Sequence, residues 1–379
     1  MTPRLDRLRR DLGALIGPWL DRRSPPAAPR DGAAWPAPRP TRGLSARPLQ
    51  VEAVDRLTPD AVAVTLTDPT GAPIPFRPGQ FLSLSVTVGG QRLRRAYSLC
   101  SDPADPRRVQ IAVKRVAGGR VSNHLNDRLR PGDTLEVFGP SGDYAARLAG
   151  ARRLALISGG SGITPHLSIL RAALADPLGP QVTLIYGNRD RGAVMFRDAL
   201  DALVARSGGR LVVRHVLDDA EGPLTPETLA AVLDELDLTD DAGLRWLVCG
   251  PAPMMDGALG LLAARGVDPR RVDAERFTPA PTLDTLPDEP QPLQVRAGGS
   301  VWTARVTPGQ TLLEAGVEAG APMPFSCAVG GCGACKVRLR GGEVVLRTPN
   351  CLSAEERGEG WVLACVAHAA SPVRLELDR

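Results

Sequence analysis

Four cysteines define the chemistry to expect of this chain. Cys327, Cys332 and Cys335 are spaced C-x4-C-x2-C, and Cys365 follows after 29 further residues. That is the ligand spacing of a plant-type [2Fe-2S] cluster. Two irons bridged by two sulfides need four thiolates, and a tight loop can supply three while a later strand returns the fourth. Gly330, Gly331 and Gly333 let such a loop wrap closely and turn its N–H groups inward. A structural zinc site is the competing reading, but such sites usually show two matched C-x2-C knuckles. Seven cysteines is an odd number, and three of them fall within ten residues. Ligation in a reducing compartment therefore fits better than a secreted disulfide framework. Cys100 and Cys351 lie off the spacing and read as inert thiols.

Other segments carry chemistry of a second kind. In Arg95-Ala96-Tyr97-Ser98, at the end of a predicted strand, Tyr97 offers an aromatic face to a flat ring, Ser98 a hydroxyl and Arg95 a charge for phosphate. Taken alone, a strand-end Tyr beside a surface Arg explains the tetrapeptide as well. Gly118-Gly119-Arg120-Val121-Ser122 opens a short helical run, so its amides and the Ser122 hydroxyl could hold a pyrophosphate. Ser158 to Pro165, SGGSGITP, lies between a strand and a helix, where α/β proteins bind nucleotides, although it is not a G-x-G-x-x-G fingerprint. Cys249-Gly250-Pro251 repeats the arrangement at a later strand end. His124, His166, His215 and His368 have no metal-ligand spacing and read as structural or surface residues.

The elements that must position these residues follow from periodicity. From Leu49 to about Ala146 the period is two: Leu82, Leu84, Val86 and Val88 alternate with polar neighbours, and Gly89-Gly90 turns the chain into Gln91 to Ser98. An antiparallel β-barrel is expected there. From Arg152 short apolar strands lead into helical runs: Leu154 to Ile157 into Pro165 to Ala175, Val182 to Tyr186 into Phe196 to Val204, and Trp246 to Cys249 into Met254 to Ala264. That is the pattern of a parallel-sheet α/β domain. A Pro/Asp-rich stretch, Thr278 to Pro290, precedes the cysteine block. The expected division is an N-terminal segment over 1–47, a barrel over 48–146, an α/β domain over 147–278, a linker over 279–291 and a last domain over 292–379. With 43% hydrophobic and 23% charged residues and a net charge of +4, the chain fits a soluble cytoplasmic protein with no nucleic-acid footprint. Its apolar runs are too short to cross a bilayer, and no secretory signal is evident.

RAYS at 95–98, GGRVS at 118–122, GGSGITP at 159–165 and CGPAPMM at 249–255 occur in the order seen in the ferredoxin-NADP reductase family. With the cysteine block behind them, residues 49–379 resemble its class having a C-terminal ferredoxin domain. That class includes phenylacetyl-CoA epoxygenase reductase components, hybrid-cluster-protein reductases and desaturase reductases. The phthalate-dioxygenase-reductase type shares the domain order. The resemblance implies a C-terminal α+β domain of β-grasp type. It implies that Arg95, Tyr97 and Ser98 contact the flavin, and Gly118, Gly119 and Ser122 its pyrophosphate. Gly160, Thr164, Cys249 and Gly250 would contact the nicotinamide dinucleotide. Tyr97, Ser98, Cys249 and Glu275 would stand around the reacting centre, with Phe277 at a matching acidic-aromatic position. GGRVSNHL looks like the FAD-binding version of its motif, so FAD is favoured and FMN kept as the alternative. Tyr186-Gly187-Asn188-Arg189 falls where family members meet the adenosine ribose, and Arg189 could pair with a 2′-phosphate. NADPH is the expected nucleotide, with NADH still open because Asp190 is adjacent.

A nicotinamide gives up two electrons as hydride while a [2Fe-2S] centre takes one at a time, and a flavin serves both, which is why both groups would share a chain. The expected activity is therefore that of an NAD(P)H-dependent oxidoreductase feeding an oxygenase, hydroxylase or fatty-acid desaturase. A redox sensor acting by state-dependent partner binding is the alternative. Residues 1–47 carry ten Arg against four Asp, and Leu5, Leu8, Leu12, Leu15, Ile16, Trp19 and Leu20 recur at helical spacing. Such a basic amphipathic helix could lie on an anionic membrane or pack on a partner. The block from Pro292 has nine Lys/Arg and eight Asp/Glu, so charge does not name the acceptor.

Overall fold

The computed structural model describes residues 47–142, 144–145, 148, 150–277, 287, 289–325, 330, 333–346, 352 and 354–377. The amphipathic segment, Cys327, Cys332 and Cys351 lie outside the described residues.

Strands β1 (Arg47–Thr58), β2 (Ala61–Thr67), β3 (Phe81–Val88), β4 (Gln91–Ser98), β5 (Val109–Lys114) and β6 (Thr134–Ser141) form a sheet in the order β4-β3-β6-β1-β2-β5. Every pairing is antiparallel. A bridge from Leu99 to Ile111 brings the end of β4 against β5 and closes the expected barrel. Gly89 and Gly90, both at positive φ, make the two-residue turn that pairs Val88 with Gln91. Leu82, Leu84 and Val86 point into a core shared with Val121 and Leu125 of the helix Arg120–Arg128. Their alternating partners Ser83 and Ser85 are buried too, so both faces of β3 are covered.

Strands β7 (Arg153–Gly159), β8 (Gln181–Asn188), β9 (Leu211–Leu217), β10 (Leu244–Cys249) and β11 (Val272–Glu275) form an all-parallel sheet in the order β11-β10-β7-β8-β9. Helices Ile163–Ala175, Arg197–Arg206, Pro226–Glu235 and Ala252–Ala264 connect its strands. The order changes direction at β7, and a reversal of this kind opens a ligand crevice at the carboxyl edge of a parallel sheet. Leu154, Leu156, Leu184 and Leu247 share one core with Ala61, Ala63, Cys100, Ala112 and Tyr144 of the barrel side. The two units are thus fused through apolar packing.

In the last unit β12 (Gln291–Ala297), β13 (Ser300–Val306), β14 (Lys336–Gly341), β16 (Trp361–Leu363) and β18 (Val373–Glu376) make a mixed sheet in the order β13-β12-β18-β14-β16. β15 (Val344–Leu346) pairs separately with β17 (Ala367–Ala369). The helix Leu312–Glu318 supplies Leu312, Leu313 and Ala315 to the core of this unit. Thr311 and Glu314 close its N-terminus with a reciprocal capping box. A helix on a mixed sheet with parallel β12 and β18 is the β-grasp arrangement.

Candidate functional site

The carboxyl edge of the parallel sheet aligns five side chains on one level. Glu275 pairs with Cys249, Cys249 with Ser158, Ser158 with Tyr186, and Tyr186 with His215. Parallel register makes these residues neighbours on adjacent strands. The row continues into the barrel, where Ser98 Oγ donates to Glu275 Oε2 at 3.2 Å. Ser98 of β4, Cys249 of β10 and Glu275 of β11 therefore meet in one place. Cys249 is fully buried, and burial first, then the Glu275 carboxylate, pushes its thiol well up. It is a neutral, polarizable SH group at neutral pH, not a nucleophile.

Two glycine loops frame the row by direct backbone contact. A Cβ on Gly162 would lie 2.1 Å from the Cys249 carbonyl oxygen and 2.8 Å from the Gly250 nitrogen. A Cβ on Gly250 would lie 2.9 Å from the Gly159 nitrogen. Only hydrogen fits between these loops. Gly160 adopts φ of 51° and its carbonyl accepts the Tyr186 hydroxyl at 2.9 Å, while the Thr164 hydroxyl donates to Ser161 O at 3.0 Å. The Lys114 ammonium sits 3.7 Å from where a Gly160 Cβ would be, so a cation stands beside this strand-to-helix loop. A glycine-lined helix start with a nearby ammonium fits a phosphate-bearing nucleotide. Gly162 and Lys114 were not singled out by sequence. Lys114 reads as the polar end of a barrel strand until the fold brings it against Gly160.

Beneath the loop lies a buried polar chain. Tyr144 Oη is 2.7 Å from His166 Nε2, and Ser158 Oγ is 2.5 Å from His166 Nδ1. Burial lowers the His166 pKa to about 3, so the ring is neutral and accepts from one hydroxyl while donating to the other. His166 is thus a structural histidine, one that ties the barrel side to the nucleotide loop.

On the barrel, the pleat separates residues that are adjacent in sequence. Arg95 and Tyr97 lie on one face of β4 and Ser98 on the other. Tyr97 packs against the barrel core; burial raises its pKa, and Arg95 opposes the rise. Gly118 has φ of 68°, and Gly119 N donates to Val116 O at 2.9 Å just before the helix Arg120–Arg128. Ser122 Oγ accepts the Val116 amide at 3.1 Å, so this hydroxyl closes its own loop. The first amides of that helix follow directly on this turn, where a helix start favours an anion. Arg189 extends from the end of β8 with a 69% exposed side chain and reaches Asp60 across the units at 3.2 Å. Asp60 also lies 3.7 Å from Lys114. Phe277 is partly exposed beyond β11.

Of the four expected ligands, Cys335 and Cys365 are described. Both are buried, and their sulfurs approach to 3.0 Å, well beyond the disulfide length of about 2.05 Å. Ala364 N donates to Cys335 O at 3.0 Å, which holds the returning segment beside the first. Two converging buried sulfurs form a donor pair suited to one iron of a cluster. Cys327 and Cys332 lie outside the described residues.

Family profiles agree with this geometry. The oxidoreductase FAD-binding domain matches residues 48–145, the oxidoreductase NAD-binding domain 156–259, and the 2Fe-2S iron-sulfur cluster binding domain 295–370. The chain is 35% identical to a 1,2-phenylacetyl-CoA epoxidase component of Escherichia coli (strain K12) over 338 residues, 84% of this chain and 94% of that protein. It is 36% identical to the ferredoxin reductase component of 3-ketosteroid-9-alpha-monooxygenase of Mycobacterium tuberculosis (strain CDC 1551 / Oshkosh), over 85% of this chain and 93% of that one. The solved structure of phthalate dioxygenase reductase superposes with a TM-score of 0.69 at 29% identity, covering 88% of this chain and 98% of that chain. FAD, a nicotinamide nucleotide and a [2Fe-2S] cluster are accordingly the groups this fold is built for. The chain belongs to the ferredoxin-NADP reductase family, in the class that carries a C-terminal [2Fe-2S] ferredoxin domain.

Proposed function

We propose that this chain is the reductase component of an oxygenase system, passing electrons from NADPH through FAD and its [2Fe-2S] cluster to an oxygenase partner. The observation that carries this reading is the row Glu275, Cys249 and Ser158 joined to Ser98 of the barrel, because it brings the flavin and nicotinamide units to one shared edge. When bound, FAD accepts hydride as an electron pair and releases electrons singly, and the cluster carries one at a time.

The residues of the chain position and shield. Gly160, Gly250 and Thr164 shape the nucleotide loop, while Cys249 places a small neutral thiol where a nicotinamide ring can lie close. Arg95, Tyr97 and Ser98 hold the flavin, and Gly118, Gly119 and Ser122 shape the turn that takes its pyrophosphate. Glu275 fixes Ser98 by hydrogen bonding. Cys327, Cys332, Cys335 and Cys365 hold the cluster. The proposed division is a flavin unit over 48–146, a nicotinamide unit over 147–278, a linker over 279–291 and a ferredoxin unit over 292–379. The exposed side chain of Arg189 supports NADPH over NADH.

The relatives named above serve oxygenases, which supports an oxygenase or hydroxylase as acceptor. A fatty-acid desaturase becomes the acceptor if residues 1–20 dock on a membrane. Among the described residues no helix is long and apolar enough to cross one. The proposed location is cytoplasmic, with peripheral membrane contact only if residues 1–20 dock there. Anaerobic addition of NADPH or NADH to purified protein tests the core of the proposal. Bleaching of both flavin and cluster absorbance is expected. Protein without bound flavin, or cluster bands unchanged by either nucleotide, would sink it.

A further inference from the structure

The barrel and the ferredoxin unit touch through three side chains that no motif marks. The Arg94 guanidinium lies 4.1 Å from the centre of the Phe138 ring and 5.1 Å from that of Phe325. The two rings meet edge to face at 6.2 Å and 66°. Arg94 belongs to β4 and Phe138 to β6, while Phe325 stands in the ferredoxin unit two residues before Cys327. We infer that Arg94 and Phe138 form the dock for Phe325, which positions the cluster-binding loop for electron transfer from the flavin.

The strand geometry explains why this position suits the task. Arg94 pairs with Ser85 and Phe138 with Ser83, so all four share the face of the barrel that the core does not use. Ser83 and Ser85 are nonetheless buried. Arg95 and Tyr97 point to the opposite face, and Arg95 Nη1 donates back to the Arg94 carbonyl at 2.6 Å. Arg95 and Tyr97 thus lie on one face of β4, while the ferredoxin contact shares the other face with Ser98. A guanidinium held against two aromatic rings is directional as well as attractive, which an aliphatic contact is not. Tunnelling between redox groups weakens steeply with distance, so the residues fixing the approach of the loop control that single step. With FAD and the cluster bound, the step would move one electron from reduced flavin to oxidised cluster, and no bond between heavy atoms would form or break.

This role rests on the electron path proposed above, and stopped-flow spectroscopy of the full-length holoprotein separates the two. Arg94→Ala and Phe325→Ala are mixed anaerobically with NADPH, and flavin and cluster bleaching are followed at their own wavelengths. Flavin bleaching should keep the wild-type rate while cluster bleaching slows about tenfold, the loss expected when a partly buried cation–π contact of this class is removed. Arg94→Lys should behave more like the alanine variant than like wild type, since it keeps the charge but not the planar guanidinium that lies against the rings. The double variant should be no slower than Phe325→Ala alone, because Phe325→Ala already removes both ring contacts to the ferredoxin unit. The cluster midpoint potential should stay unchanged, and small-angle scattering of Phe325→Ala should show a larger radius of gyration. Phe325→Ala leaves the barrel sequence intact and carries the test if Arg94→Ala loses its flavin. Wild-type cluster bleaching in Phe325→Ala, or slowing accompanied by a shifted potential, overturns the dock and spares the electron path. A wild-type cluster that never bleaches overturns the path itself.

Discussion

Replacing Gly162 with Ala probes how tightly the nucleotide loops are held. The added methyl would start 2.1 Å from the Cys249 carbonyl oxygen and 2.5 Å from its carbon. The loops must separate by about 0.9 Å to bring even that oxygen to 3.0 Å, a separation that real Cβ atoms essentially never go below. Both sides are backbone, so no flexible side chain can yield. Overpacking of this kind typically costs about 1–3 kcal/mol in stability. A displacement of about 1 Å at a site that works by positioning can cost about a hundredfold in rate. Gly162→Ala should therefore melt lower than wild type, bind FAD normally, and show about a hundredfold lower kcat/KM for NADPH with ferricyanide as acceptor. Ferricyanide takes electrons from the flavin, so the cluster does not enter the measurement. Wild-type kcat/KM in a folded Gly162→Ala protein would refute the backbone-to-backbone packing as the basis of the site.

Cys365→Ser should abolish the cluster absorbance while leaving NADPH–ferricyanide turnover within about twofold of wild type, consistent with positioning effects confined to the other two units; preserved cluster bands would contradict the ligand assignment. Because burial depresses the His166 pKa to about 3, the unfolded chain binds more protons between that value and about 6.5, so stability falls as pH is lowered through this window. The histidine should contribute a loss of about 2 kcal/mol between pH 6.5 and pH 5, and denaturant melts of His166→Gln should lack it; an identical acid limb in both proteins would rule that out. Asp60 holds Arg189 at 3.2 Å, so Asp60→Asn should free the guanidinium for a 2′-phosphate. The ratio of kcat/KM for NADPH over NADH should rise about two- to fivefold, the scale of an exposed ion pair, and a ratio that stays level or falls would remove Arg189 from nucleotide selection.

What could be read in the sequence depended on how local each feature is. The iron-sulfur domain was legible because three of its cysteines fall within nine residues of sequence, where spacing alone records a ligand pattern. The barrel and the parallel sheet were legible because period-two and strand-then-helix patterns persist over many residues. Strand β9 was not read: Arg214 and His215 interrupt its apolar run, and as an edge strand it is only partly buried. Strand β11 escaped because four residues, Val272–Glu275, are too few to show a period. Within the site, Cys249 and Ser98 were recognisable in motifs, whereas the alignment of Glu275, Cys249, Ser158 and Tyr186 depends on parallel register, which no single segment encodes. The contact of Ser122 Oγ with the Val116 amide was not legible either, because it depends on how the turn before the helix closes. Arg94 was hidden for a related reason: its partners Phe138 and Phe325 stand on other elements, and only the assembled fold brings their rings together.

The central claim is that electrons reach the cluster only by way of the flavin. Freeze-quench electron paramagnetic resonance on deflavinated protein that retains its cluster tests it most directly. NADPH added anaerobically should leave the cluster oxidised and silent, and restoring FAD before the nucleotide should produce the reduced [2Fe-2S] signal within a single turnover. A reduced-cluster signal of equal size and rate without flavin would contradict the account.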